Sequence, residues 1–92
     1  MTDNRIRYEI EEAVLARSVG DTLVLFNPNT ERLLTLNGCG SRIWQLLSEG
    51  ASDPEIIERL IAEFDAPSSQ IEQEAHRFLS ELRAEQLIRT AG

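Results

Sequence analysis

Lysine is absent from these 92 residues: all nine basic side chains are arginine, and sixteen acidic residues outweigh them to a formal charge of −7 at pH 7. Phosphate-rich surfaces are held by clustered positive charge that displaces counterions, so neither nucleic acid nor an anionic membrane is expected as a partner. Soft ligands are scarce too. Cys39 is the sole cysteine, which excludes an internal disulfide, and with His76 as the sole histidine the chain is too poor in ligands for a structural zinc site. No apolar run is longer than Leu23–Phe26, far short of a bilayer span. Asp3, Arg5, Arg7, Glu9, Glu11 and Glu12 interrupt residues 1–13, so no signal-peptide core forms there, and a cytoplasmic location is expected. The length itself leaves no room for a catalytic barrel or a doubly wound nucleotide fold.

What is present is ordinary globular composition, 41% apolar and 27% charged, well away from the signature of a disordered chain. Residues 1–13 read as an extension, free to be flexible, ahead of one domain over residues 14–90. The first half of that domain reads as strands. Val14–Ser18 and Thr22–Phe26 flank Val19-Gly20-Asp21, where Gly20 suits the positive φ of a tight hairpin. Asn27-Pro28-Asn29-Thr30 fits a type I turn, with Pro28 presetting φ and Asn27 placed to bond its own backbone. Arg32–Leu36 follows as a third strand. Connections this short make neighbours antiparallel, giving a three-stranded meander with Leu23–Phe26 in the middle.

The second half reads as three helices. Asn37 is the expected N-cap of the first, which runs through Ile43, Trp44, Leu46 and Leu47 to a stop at Gly50. Ser52-Asp53-Pro54-Glu55 is a capping box with proline in the first turn, opening a helix whose apolar stripe is Ile56, Ile57, Leu60, Ile61 and Phe64. Ser69-Gln70-Ile71-Glu72 reads as a second capping box, ahead of Ile71, Ala75, Phe78, Leu79 and Leu82, and Leu87-Ile88 as a short packed tail. A small sheet with one apolar face needs the helices to cover it, so the expected class is α+β.

Between Arg32 and Leu36 no proline, glycine or inward charge guards the outer edge of the third strand. Such an edge accepts another chain by strand addition unless a helix or loop covers it. The run Leu36-Asn37-Gly38-Cys39-Gly40-Ser41-Arg42-Ile43-Trp44-Gln45-Leu46-Leu47, then Gly50, Glu55-Ile56, Leu60, Phe64, Phe78-Leu79, Leu82 and Leu87, resembles the PqqD family of precursor-peptide recognition domains, over nearly the whole span from Val14 to Ile88. Ala75, Glu74 and Gln86 depart from the family pattern, where a larger aliphatic residue, Asp and Gly are common. The resemblance implies a non-catalytic, cofactor-free module, winged-helix-like, with three antiparallel strands followed by three helices. It implies that the leader of a ribosomally made precursor peptide adds to the third strand (Arg32, Leu33, Leu34, Thr35, Leu36) against a wall from Ala75, Phe78, Leu79, Leu82 and Arg83. The domain would then present the leader to a modifying enzyme such as a radical SAM maturase, a cyclase or a leader protease. The same open edge leaves a homodimer available.

Other residues have plainer readings beside sharper ones. Cys39 lacks a neighbouring base in sequence and reads as a small, half-buried residue of the first helical turn rather than a nucleophile. Trp44 reads as a core anchor, His76 as sharing a solvated face with Glu72, and Glu55, Arg59 and Glu63 as i, i+4 surface pairs. Leu33 and Thr35 share one face of the third strand and Leu34 and Leu36 the other; the first pair is the sharper choice for peptide contact. Gly38 and Gly40 match no phosphate-loop pattern. A winged-helix DNA-binding module is the rival reading, opposed by four acids against Arg77 and Arg83 in Ser69–Glu85; a regulatory protein–protein domain using the same surface is a second rival. The acidity is concentrated in residues 49–65, with six acids against one arginine, and the third strand and last helix are close to neutral.

Overall fold

A computed structural model describes residues 7–91 of the chain. Five strands and three helices follow in the order β1 (Arg7–Ile10), β2 (Leu15–Val19), β3 (Thr22–Asn27), β4 (Arg32–Leu36), α1 (Cys39–Ser48), α2 (Asp53–Glu63), α3 (Ser68–Ala84) and β5 (Ile88–Ala91). β2, β3 and β4 form the antiparallel meander in that spatial order, with three helices after it, an α+β fold. The two-residue turn Gly20-Asp21 sets the pairing of Val19 with Thr22, from which Leu15 falls opposite Phe26; across β3, Leu25 pairs with Leu34 and Leu23 with Leu36.

Strand alternation sorts this sheet into two faces. Leu25, Asn27 and Leu36 point inward and are buried, with Leu34 half-buried beside them. Leu33, across from Phe26 on the other face, is 62% exposed. The inward face meets Ile43, Trp44, Leu46 and Leu47 of α1, Ile56 and Leu60 of α2, and Ile71, Ala75, Leu79 and Leu82 of α3 in one core.

A second, two-stranded ribbon lies apart from the meander. Residues 1–6 of the expected extension lie outside the described residues, and Arg7–Ile10 forms β1, which pairs antiparallel with β5, Arg7 opposite Ala91 and Ile10 opposite Ile88. Tyr8 and Ile10 alternate with Arg7 and Glu9, a half-buried strand pattern that the surrounding charges mask. Glu9 and Glu11 both pair with Arg89, at 3.0 and 2.6 Å, and Arg7 donates to the carbonyl of Gly50 (3.0 Å), so the charges that look like a solvated tail hold the ribbon in place. Leu87 and Ile88, the expected packed tail, are 2% and 3% exposed.

The helix boundaries differ in detail from the sequence reading. α1 is capped by Gly38 rather than Asn37: the backbone turns there at φ 53°, ψ −121°, a conformation that a side chain resists and glycine accepts. α2 begins as expected, with the Glu55 carboxylate accepting from the Ser52 amide (2.9 Å) and hydroxyl (2.8 Å). α3 starts two residues early, at Ser68, with Pro67 in the cap position instead of Ser69. Ser69 is therefore already inside the first turn, and the second capping box does not form. Glu63 does not bond to Arg59 but forks Arg42 of α1 through two 2.7 Å bonds, which draw its carboxyl below the ordinary range.

Helices α1 and α3 end in the same hydrogen-bond pattern, a Schellman turn. At α1, Gly50 donates to Leu47 (3.0 Å) and Ala51 to Leu46 (3.0 Å), with Gly50 at φ 85°. At α3, Gln86 donates to Arg83 (3.0 Å) and Leu87 to Leu82 (3.0 Å), with Gln86 at φ 59°. A glutamine thus occupies a left-handed position that favours glycine.

Candidate functional site

Among the described residues the meander has two edge strands without an outer partner, β2 and β4, and side chains at both ends of β4 reach toward α3. The residues that set the two walls together sit at their ends. At the start of β4, Arg32 pairs with Glu85 (2.9 Å), and the fully buried Asn27 donates from its amide nitrogen to the carbonyls of Glu85 (3.3 Å) and Gln86 (3.0 Å). Its side-chain oxygen accepts from the Asn29 amide (2.9 Å), the local bond expected of the turn. Asn27 therefore does two jobs, and the long-range one is invisible in sequence because the turn already accounts for an asparagine there. It satisfies carbonyls that a helix end leaves without partners.

At the other end of β4, Leu36 and Phe78 meet over Gly40. A Cβ at Gly40 would lie 3.3 Å from Phe78 Cζ and 3.7 Å from Leu36 Cβ. From Arg32 to Leu36 the strand advances about 13 Å and from Phe78 to Glu85 the helix advances about 10 Å, so β4 and α3 run antiparallel, side by side over similar lengths. Beside the Phe78 ring, between the first turn of α1 and α3, lies a hollow of about 200 Å³ lined by Cys39, Gly40, Ile43 and Phe78 with Glu74, Arg77 and Glu81 around it. Burial, and secondarily Glu74, push the Cys39 thiol above its ordinary pKa. A larger hollow of about 410 Å³ between the β2–β3 turn and α1 is edged mainly by Ser18, Asp21, Thr22, Ser41, Gln45 and Ser48. It offers little apolar surface and lies away from the β4 edge.

The residues assigned to this site by resemblance fall into three groups. Arg32, Leu33, Leu34, Thr35 and Leu36 form β4 itself, with Leu33 and Thr35 exposed on the outer face and Leu34 and Leu36 turned inward. Phe78 is half-buried at the hollow. Ala75, Leu79 and Leu82 are at most 2% exposed and belong to the core behind the wall, because the inward stripe of α3 is centred on them. Arg83 lies on the other flank of α3, with Ser80, Ala84, Ile88, Arg89 and Thr90, close enough to Tyr8 to affect its phenol. The accessible part of the wall is thus Phe78 with Glu74, Arg77 and Glu81, three of them charged and so outside the apolar pattern used to find the helix. Cys39 sits half-buried in the first turn of α1, as expected. His76 faces Asp53 of α2, with Nε2 3.7 Å from Oδ1.

Residues 22–88, which contain β3, β4 and all three helices, match the family model described as coenzyme PQQ synthesis protein D (PqqD). The chain belongs to the PqqD family. No curated protein sequence matches it at a significant level. Among solved structures, this PqqD-family chain is similar to TbiB1 in complex with the TbiA(beta) leader peptide: 31% identity, TM-score 0.83, covering 91% of this chain and 98% of that one. It also has the fold of lasso peptide synthetase B1 complexed with the leader peptide, at 16% identity and TM-score 0.80, covering 89% and 96%. Both alignments span most of the described residues and nearly the whole of the neighbouring chains. Among the described residues no helix is long and apolar enough to cross a membrane.

Proposed function

We propose that this domain is a non-catalytic adaptor that binds the leader of a ribosomally synthesised precursor peptide and presents it to a modifying enzyme. The observation that carries the reading is the open β4 edge running beside α3 in a PqqD-family chain whose 31%-identical structural neighbour is a leader-peptide complex. The physics of such an arrangement is strand addition. Unpaired N–H and C=O groups of Arg32–Leu36 bond the peptide backbone with little demand on its sequence, and side-chain contacts against α3 select among leaders. Holding the leader raises the local concentration of the attached core peptide at the enzyme.

Bond making belongs to the partner, a radical SAM maturase, a cyclase or a leader protease. The two candidate groups of this chain support that division of labour. Burial, and secondarily Glu74, push the Cys39 thiol above its ordinary pKa, which disfavours the nucleophilic thiolate, and the imidazole of His76 faces Asp53 instead of the thiol. Duplex DNA finds no support as a ligand: α3 exposes Glu72, Glu74 and Glu81 beside its two arginines, where a recognition helix presents a basic face.

Titration calorimetry against the precursor peptides encoded near the gene tests the reading. Saturable binding by one of them, lost when its leader is removed, is expected. Absence of heat with every such peptide, from protein with the circular dichroism of a folded domain, overturns it.

A further inference from the structure

Gly38 and Gly40, two residues apart, are glycines for different reasons. Gly38 is dictated by its backbone angles and has open space where a Cβ would stand; Gly40 has ordinary helical angles, and its space is taken by the Phe78 ring. A glycine inside a helix forgoes up to about 1 kcal/mol relative to alanine. What Gly40 provides in return is close approach: the ring rests on the α1 backbone, with Cζ 3.3 Å and Cε1 3.6 Å from the would-be Cβ. The hollow beside the ring is bounded by this contact on one side and by Ile43 and Cys39 below. At about 200 Å³ it is smaller than the roughly 300–1,000 Å³ of small-molecule sites and has room for one large side chain. Gly40, in its lining, stands against Leu36 at the end of β4, so a strand added to that edge would pass beside the hollow. Two carboxylates against one guanidinium, from Glu74, Glu81 and Arg77, give its mouth a net negative charge.

We propose that the Gly40–Phe78 contact sets the specificity of the groove: it holds open a pocket for a single large apolar side chain of the strand-adding peptide, flanked by a basic residue at the Glu74–Glu81 mouth. The inference rests on the peptide-binding reading and adds to it which side chain is selected and by what. Raising the floor at Gly40 lifts the ring into the pocket, whereas removing the ring deepens it, so substitutions on the two partners shift the preferred anchor in opposite directions. The exposed carboxylates contribute less, as screened pairs do, and their effect fades with salt while the apolar preference persists.

A phage-displayed library of random dodecapeptides, selected in parallel on the native protein, Gly40→Leu and Phe78→Ala, tests this. Native protein is expected to enrich a large aliphatic or aromatic anchor with a nearby Lys or Arg. Gly40→Leu should enrich small anchors and bind the native winners about tenfold or more weakly, the burial of one large side chain being at stake. Phe78→Ala should enrich larger anchors than the native protein does. Leucine is a better helix former than glycine, so Gly40→Leu is expected to fold; if its circular dichroism says otherwise, Gly40→Ala and Phe78→Leu carry the same opposed shifts at about two- to threefold. Identical anchor preferences in native protein and folded variants overturn the pocket inference alone. Enrichment of no peptide by the native protein overturns the peptide-binding reading beneath it.

Discussion

The two flanks of α3 have met the same problem in opposite ways. On one flank the chain supplies its own strand: after the turn at Gln86 it runs into β5, pairs with β1 and buries Ile88 against the core. On the other flank β4 is paired on one side only, and the remaining edge is left beside Phe78 and the acidic mouth of the hollow. The first flank is closed by covalent continuity, so its contacts are always made and contribute to folding. The second has no partner strand among the described residues, so on the proposed reading the same kind of backbone pairing there contributes to binding instead. Edge strands are usually shortened, charged or covered; one that stays open alongside an apolar groove is where affinity can be stored.

Substitutions that touch one flank and spare the other break this comparison most directly. Ile88→Ala, on the closed flank, is expected to lower unfolding stability by about 2–5 kcal/mol through the cavity it leaves, measured by chemical denaturation, with peptide affinity unchanged wherever the domain is folded. Proline at Leu34 and at Thr35 tests the open flank. Neighbouring residues of a strand direct their N–H groups to opposite sides, so one of the two variants loses a ladder bond to β3 and unfolds partially. The other loses only an outward donor and should weaken peptide binding by about a hundredfold with its thermal melt little changed. If both variants fold and bind like the native protein, β4 is not the receiving edge.

Asn27→Ala acts at the seam between the flanks. It removes a buried amide that partners the carbonyls of Glu85 and Gln86 and is expected to cost about 1–3 kcal/mol. Because the same bonds tie the end of β3, beside the start of β4, to the end of α3, peptide affinity should fall as well, unlike with Ile88→Ala. The smallest expected effect runs the other way. Gln86→Gly places the residue suited to φ 59° at the end of α3 and should raise stability by about 0.5–1 kcal/mol, with no change at Gly50, where the matching turn already has its glycine. A chemical probe completes the set. With its pKa raised, the Cys39 thiol is mostly protonated near neutral pH, so alkylation by a maleimide should be slower than for a free cysteine and should speed up as pH rises. Bound peptide in the adjoining pocket should slow it further.

The meander, the three helices and the Ser52–Glu55 cap were legible because each is written locally, in alternation, in a 3.6-residue stripe or in a few residues around a turn. β1 was not. Its alternation spans only Arg7–Ile10 and its partner lies some eighty positions later, so nothing nearby distinguishes a strand from a charged tail. The open edge is legible in the residues that β4 lacks, whereas the apolar periodicity of α3 does not separate its buried stripe from the margin beside it. A periodic stripe names the residues facing the core, and Ala75, Leu79 and Leu82 are indeed its centre; a groove opens at the margin of that stripe, where Phe78 is followed by charged neighbours. Arg83 shows the same limit from the other side, since a helix with two occupied flanks has two margins and the pattern does not say which faces which. Asn27 was half-read, its local bond being sufficient reason for its presence.

The pairing of Arg7 with Ala91 has a topological consequence. Entry to and exit from the described fold lie side by side, on the flank of α3 remote from β4. A ring closed across that point and reopened at the Pro28–Glu31 turn or the Gly20-Asp21 turn would keep every core contact, and the fold could be spliced into a host chain at a single surface loop. Under the proposed function, a modifying enzyme could then carry such a domain as an inserted segment, with the β4 edge facing outward.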